Sequence, residues 1–166
     1  MARFDFNADE IFEMAEQIER NGTAFYKKAA SFNEGGVKKL LLDLASWEAD
    51  HEDRFKEMRS DLSSLESQEQ FFDPDEETAK YLRAFADRHV FDTRKKPEDL
   101  LDGEESLEEI LRMAIGLEKD SIVFYLGLRD ATRKETGKQK VEGIIKEEMR
   151  HVSTLSDELR RALEAR

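Results

Sequence analysis

The sequence predicts an all-α fold, a four-helix bundle built from two helical hairpins that a long crossover connects. Three observations support this prediction. The 166 residues fit one domain, 1–166, and suffice for a continuous core along four helices. The only two prolines, Pro74 and Pro97, lie in one middle stretch and leave the segments on either side free to form helices. In those segments apolar residues recur at spacings of three and four, which is typical of one face of an α-helix.

The first half of the chain predicts a hairpin over residues 8–66. Gly35 and Gly36 separate its two helices, because a glycine pair interrupts a helical pattern. The apolar positions of the second helix end at Leu62. The buried face of the first helix is expected to consist of Ile11, Ala15, Ile18, Gly22, Phe25, Ala29 and Phe32.

The second half predicts a crossover over residues 67–104 and a second hairpin over residues 105–165. The amphipathic segment DEETAKYLRAFADRHVF indicates one short helix within the crossover. The third bundle helix is expected to start near Ser106, and the fourth near Lys138, directly after Gly137.

The two hairpins resemble each other in sequence. When residues 10–26 are shifted by 99 positions, seven of 17 residues are identical. Core packing explains the repeated isoleucine, alanine and phenylalanine. It does not explain why Glu19 is repeated as Glu118 on an apolar face, so these glutamates indicate a function.

Two more glutamates are expected in the core of the partner helices. Each follows an apolar face and stands three residues before a histidine, so its carboxylate and the imidazole project to one side of the helix. One Glu-x-x-His motif alone is usually a surface pair, but two such motifs at a spacing of 100 favour metal binding. The predicted metal ligands are Glu19, Glu48, His51, Glu118, Glu148 and His151.

Four buried carboxylates need compensating charge. An unpaired buried carboxylate costs several kcal/mol or takes up a proton. No lysine or arginine stands three or four residues from any of these glutamates. Two divalent metal ions would balance the four negative charges, and two neutral imidazoles would complete the ligand set.

The composition excludes several classes of function. There are 27 Lys and Arg against 39 Asp and Glu, and the net charge of -12 opposes binding to nucleic acid or an anionic membrane and favours cations. Without cysteine, the chain encodes no disulfide, thiolate zinc site or iron–sulfur centre. No segment is long and apolar enough to span a membrane, so we expect a soluble, cytoplasmic protein.

The pattern resembles the ferritin-like di-iron carboxylate family, and its rubrerythrin branch most closely. The two Glu-x-x-His motifs carry this resemblance, together with the Phe-Tyr pair that follows both Glu19 and Glu118 at six and seven residues. The resemblance implies two iron ions, with manganese or a mixed pair as alternatives. It also implies reduction of peroxide or oxygen, in defence against oxidative stress, with electrons from an external donor such as a rubredoxin-like protein. Two departures are the lack of a rubredoxin domain and Ser121, where typical rubrerythrins carry a further glutamate.

Three further side chains are candidates for supporting the site. Tyr26 and Tyr125 lie two helical turns beyond their glutamates, where a hydroxyl could hydrogen-bond a ligand carboxylate; a purely structural role is the alternative. In related bundles an acid at position 147 orients the opposite histidine, here His51, and the alternative for Glu147 is a solvated surface residue.

Three functions fit the sequence. The leading one is a di-iron oxidoreductase that reduces peroxide or oxygen. The second is a ferroxidase or iron-handling protein that oxidises ferrous iron and passes it on. The third is a non-enzymatic helical interaction domain whose metal is structural or absent. Bundles of this kind often pair, which makes a homodimer the expected assembly.

Overall fold

The structure is a computed structural model that describes residues 8–62, 77–86 and 96–165. It confirms the all-α, ferritin-like bundle. One hairpin contains α1 and α2, the other contains α4 and α5, and α3 packs against α4. Parts of the predicted crossover, residues 67–76 and 87–95, and the last residues of the first predicted hairpin, 63–66, lie outside the described residues. The helices are α1 (Ala8–Ser31), α2 (Gly35–Ser60), α3 (Glu77–Ala86), α4 (Leu107–Ala131) and α5 (Glu135–Glu164), with a 3-10 helix at Pro97–Leu100.

Local sequence signals explain where α2 and α4 begin, whereas the start of α5 differs from its expected position. Gly35 has a φ of 61°, a left-handed conformation that favours glycine, so the turn before α2 needs this residue. Ser106 caps α4, since its hydroxyl accepts from the Glu109 amide while the Glu109 carboxylate accepts from the Ser106 amide. The expected start of the last helix near Lys138 is wrong by three residues. The helix begins at Glu135, and Gly137 lies in its first turn instead of preceding it.

The apolar core forms two clusters that lie at opposite ends of the bundle. The first contains residues from the start of α1, the end of α2, the end of α4 and the start of α5, among them Ile11, Phe55, Phe124 and Val141. The second contains residues from the other halves of the same helices, among them Phe25, Leu41, Leu111 and Leu155. Each of the four long helices, α1, α2, α4 and α5, therefore runs from one apolar cluster to the other. A short stretch near the middle of each helix lies between the two clusters.

The short helix α3 covers one side of α4. Leu82 is buried in the first apolar cluster. The Tyr81 hydroxyl donates a hydrogen bond to the carbonyl of Val123. Gly127 permits this packing, because a Cβ at that position would lie 2.7 Å from the Tyr81 ring. None of the helices in the described ranges is both long and apolar enough to cross a membrane.

Candidate metal centre

The layer between the two apolar clusters is polar and almost completely buried. It contains all six predicted ligands, and the most exposed of them, His151, has only 5% of its surface accessible. Since the apolar clusters exclude water from both ends of the bundle, these ionisable groups have few possible hydrogen-bond or charge partners. Those partners are mainly one another and any metal ion that binds. The buried layer consists of Glu19, Glu48, His51, Glu118, Glu148 and His151.

The six side chains form two overlapping groups, each with four ligand atoms that lie within 4.8 Å of one another. Both groups contain Glu48 and Glu148, one from each Glu-x-x-His motif. A carboxylate has two oxygens, so a shared glutamate can contact two ions at once. The first group adds Glu19 and His51, and the second adds Glu118 and His151.

His51 is held from outside the centre by two charged residues. Its Nε2 lies 2.9 Å from Glu147 Oε2, so the contact predicted for Glu147 is present. Hydrogen bonds from Arg54, against the smaller opposing effect of burial, lower the pKa of Glu147 to about 2 and keep it an ionised acceptor. His51 therefore donates from Nε2 and directs Nδ1 into the centre, 2.8 Å from Glu148 Oε1.

His151 also directs Nδ1 into the centre, 2.9 Å from Glu148 Oε2 and 3.4 Å from Glu48 Oε1. Its outer contact is aromatic, because the Trp47 ring stacks on the imidazole with 5.2 Å between ring centroids and 15° between ring planes. Trp47 occupies the position in the first hairpin that Glu147 occupies in the second. The two histidines thus have different outer contacts, one with an ionised carboxylate and the other with an aromatic ring.

The two tyrosines link the hairpins through the ligands. Tyr26 donates to Glu118 Oε1, and Tyr125 donates to Glu19 Oε1, so each hydroxyl contacts a glutamate of the opposite hairpin. Burial and then the adjacent carboxylate raise the pKa of both tyrosines well above the ordinary value, so both hydroxyls keep their protons. The predicted hydrogen bonds to ligand carboxylates are present. They bond one oxygen of each glutamate, and the other oxygen, Oε2 in both, has no hydrogen-bond partner.

Three of the four carboxylates resist ionisation. Burial raises the pKa of Glu19 and of Glu118 well above the ordinary value, and the neighbouring Glu48 raises both further. Burial and then Glu148 raise the pKa of Glu48. Glu148 behaves differently. Burial alone would raise its pKa, but the imidazoles of His151 and His51 outweigh that effect and lower it well below the ordinary value.

The histidines compensate for the carboxylates when no ion is bound. Burial alone would lower the pKa of His51, but Glu148 and Glu19 outweigh it and raise the pKa to about 11. In the same way Glu118 and Glu148 outweigh burial at His151 and raise its pKa to about 12. Both imidazoles are therefore cationic at neutral pH in the metal-free protein.

The residues present fit a metal pair. A buried polar atom without a hydrogen bond costs about 1–3 kcal/mol, so several at one place require an explanation. His151 Nδ1 lies close to Glu148 but without the alignment of a hydrogen bond. Oxygen and imidazole nitrogen atoms directed at one space are ligands that suit iron and manganese. Among the described residues, the buried side-chain atoms without a hydrogen-bond partner are Glu19 Oε2, Glu48 Oε1, Glu118 Oε2, Glu148 Oε2 and His151 Nδ1.

Gly22 has a role at the centre that its place on the apolar face of the first helix does not reveal. A Cβ at this position would lie 2.6 Å from Glu48 Oε2, so the glycine makes room for a carboxylate that belongs to both groups.

We expect Gly22→Ala to displace Glu48 and weaken binding of both ions. The higher helix propensity of alanine should at the same time stabilise α1 by about 1 kcal/mol. Calorimetric titration with zinc measures the first effect, and unfolding of the metal-free protein measures the second. Unchanged zinc affinity would contradict the proposed contact.

A small pocket reaches the centre between α1 and α4. Its volume is about 20 Å³, enough for a water-sized molecule, and both Glu48 and Glu118 line it. Gly22 and Ser121 lie on its two sides. The Ser121 hydroxyl donates to the Leu117 carbonyl at 3.0 Å, so it is bonded to its own helix. Serine thus leaves space where a longer glutamate side chain would extend.

These observations define a class of protein: a ferritin-like bundle with a buried centre of four glutamates and two histidines, as in di-iron carboxylate proteins. The Rubrerythrin family profile matches residues 10–159, and the chain belongs to the rubrerythrin family. The fold is also similar to a Thermotoga maritima protein whose crystal structure is described as that of a ferritin-like diiron-carboxylate protein. The two sequences are 25% identical over 97% of this chain and 99% of that chain, with a TM-score of 0.71. No curated protein matches the sequence.

Proposed function

We propose that this protein is a di-iron oxidoreductase of rubrerythrin type, which reduces peroxide or oxygen with electrons from an external donor. The observation that carries the proposal is the pair of ligand groups that share Glu48 and Glu148, because this arrangement suits two ions side by side. Membership of the rubrerythrin family supports iron, with manganese or a mixed pair as the alternative. The proposed ligands are Glu19 and His51 of one ion, Glu118 and His151 of the other, and Glu48 and Glu148 of both.

Two ferrous ions, when bound, supply the two electrons that reduce one peroxide molecule to water. The chain's own residues provide the surroundings in which this reduction would take place. The apolar clusters exclude bulk water from the centre, and the pocket beside Ser121 has space for a small oxidant. Reduction of peroxide consumes two protons. Tyr26 and Tyr125 hold hydroxyl protons directly at the ligand carboxylates.

Anaerobic loading with ferrous iron followed by elemental analysis tests the site. We expect two ions per chain, and a stoichiometry of one or less would contradict the proposal. Peroxide should then oxidise the loaded protein, and an added reductant should sustain repeated turnover. Accumulation of ferric mineral without reductant-dependent turnover would identify a ferroxidase or iron-handling protein instead. A protein that binds a partner equally well without metal, and shows no turnover, would be an interaction domain.

Metal binding should release protons. Ligation uses neutral imidazole, whereas His51 and His151 are protonated at pH 7 because their pKa values are about 11 and 12. Filling the centre should therefore expel at least two protons per chain, and affinity should rise with pH until the histidines lose their protons unaided. Zinc titrations by calorimetry, in buffers with different ionisation enthalpies, count these protons. Release of fewer than one proton per chain would show that the imidazoles are neutral before metal binds.

A further inference from the structure

Three aromatic rings form a continuous stack that begins at the protein surface. The Trp47 ring stacks on His151, with 5.2 Å between centroids and 15° between planes. His151 stacks in turn on His51, with 5.6 Å between centroids and 16° between planes. The two imidazoles belong to different ligand groups of the centre. Trp47 therefore contacts His151 directly and is separated from His51 by that one ring.

Trp47 is the outermost ring of this stack. It is 40% exposed, whereas His151 is 5% exposed and His51 is fully buried. The other aromatic residues that contact the ligands, Tyr26 and Tyr125, are both buried. The stack exists on one side of the centre only, because the equivalent position in the second hairpin holds Glu147, which bonds His51 through a carboxylate. Among the residues that the structure describes, Trp47 is thus the exposed aromatic ring that connects the surface to the proposed histidine ligands.

We propose that Trp47 is the residue through which electrons enter the centre from the surface. The inference rests on the proposed function, in which a one-electron carrier returns the oxidised centre to its reduced state. Each electron leaves the carrier and reduces one ferric ion to ferrous, and two such transfers restore both ions. No bond to Trp47 forms or breaks. Its ring provides electronic contact between a carrier at the surface and the imidazole of His151.

A purely structural role makes a different prediction. If Trp47 only held His151 in place, its removal would reduce metal content or change the reduction potential of the centre. An electron-entry role predicts that both stay the same while reduction becomes slower. The two roles also differ in what a smaller aromatic ring restores, because phenylalanine can stack on His151 and leucine cannot.

The experiment compares Trp47→Leu and Trp47→Phe with the parent protein and with Phe32→Leu. Phe32 was expected on the buried face of the first helix, but it is 43% exposed and directly follows the last residue of α1, away from the centre, so it serves as a matched control. Each protein is loaded with iron, oxidised with peroxide and mixed with reduced methyl viologen in a stopped-flow instrument. We expect Trp47→Leu to slow reduction about tenfold, Trp47→Phe to recover most of the rate, and Phe32→Leu to match the parent. Metal content and midpoint potential should be equal in all four proteins.

The stack itself is tested without any redox chemistry. Trp47 is the only tryptophan, so its fluorescence reports on this ring alone. Titration of metal-free parent protein with zinc, a redox-inert ion, should change the emission until the centre is full.

An emission that stays constant while zinc binds would overturn the proposal, and so would parent-like reduction of Trp47→Leu. Loss of metal from Trp47→Leu would assign Trp47 a structural role and would also overturn it. A parent protein that peroxide does not oxidise would instead contradict the proposed function.

Discussion

Glu148→Gln is expected to lose both metal ions and to destabilise the metal-free protein. Glu148 belongs to both groups of predicted ligands, so its loss should weaken the binding of either ion. In the metal-free protein it is the one carboxylate whose pKa is lowered rather than raised within the buried layer, because His151 and His51 outweigh its burial. A neutral glutamine would leave these two cationic imidazoles without their common counter-ion. Removing one partner from a buried ion pair costs about 3–5 kcal/mol.

Glu118→Gln is the matched comparison, since it makes the same chemical change in the same buried layer. Glu118 belongs to one ligand group only, and burial and Glu48 raise its pKa so that it resists ionisation. This variant should lose occupancy mainly at one ion and leave the metal-free protein as stable as the parent or more stable. Elemental analysis and urea unfolding of the metal-free proteins measure both effects. Equal destabilisation by the two substitutions would contradict the opposite directions in which the pKa values of Glu148 and Glu118 are shifted.

The sequence predicts the buried layer of glutamates and histidines well because two constraints act on the same residues. Helical periodicity places Glu19 and Glu118 on buried faces, and burial makes an unpaired carboxylate too costly to occur without a function. The internal repeat adds a second copy of each ligand type. The periodicity also places Tyr26 and Tyr125 two turns from those glutamates, and the structure shows that each hydroxyl reaches the glutamate of the other hairpin.

Contacts between helices are less predictable. The periodicity of one helix fixes which face is buried but not the axial offset of that helix from its neighbour. The sequence therefore does not predict the stacking of Trp47 on His151. The hydrogen bond from Arg54 to Glu147 is also a contact between helices, and no signal in the sequence indicates it. Gly22 did carry a signal, because a glycine within a helical pattern often marks a close approach, here that of Glu48. The start of α5 differs from the prediction because Gly137, which resembles a helix break in the sequence, is accommodated in the first turn of the helix.

Leu111→Ala should separate the stability of the bundle from the chemistry of its centre. Leu111 is fully buried in the second apolar cluster, on α4, two turns before Glu118. Truncation removes apolar contacts and leaves a cavity that the surrounding helices fill only in part. We expect a loss of about 2–5 kcal/mol in the free energy of unfolding of the metal-free protein. The folded fraction should still bind two ions per chain, because none of the six proposed ligands loses a partner.

Leu42→Ala serves as the control for this substitution, since Leu42 is 45% exposed on α2. It makes the same change in side-chain volume without opening a buried cavity and should alter stability by no more than about 0.5 kcal/mol. Urea unfolding of the metal-free proteins and zinc stoichiometry by calorimetry measure the two effects separately. If Leu111→Ala kept the stability of the parent but lost an ion, the apolar cluster would position the ligand side chains without stabilising the bundle. The separation between apolar clusters and polar layer would then be wrong.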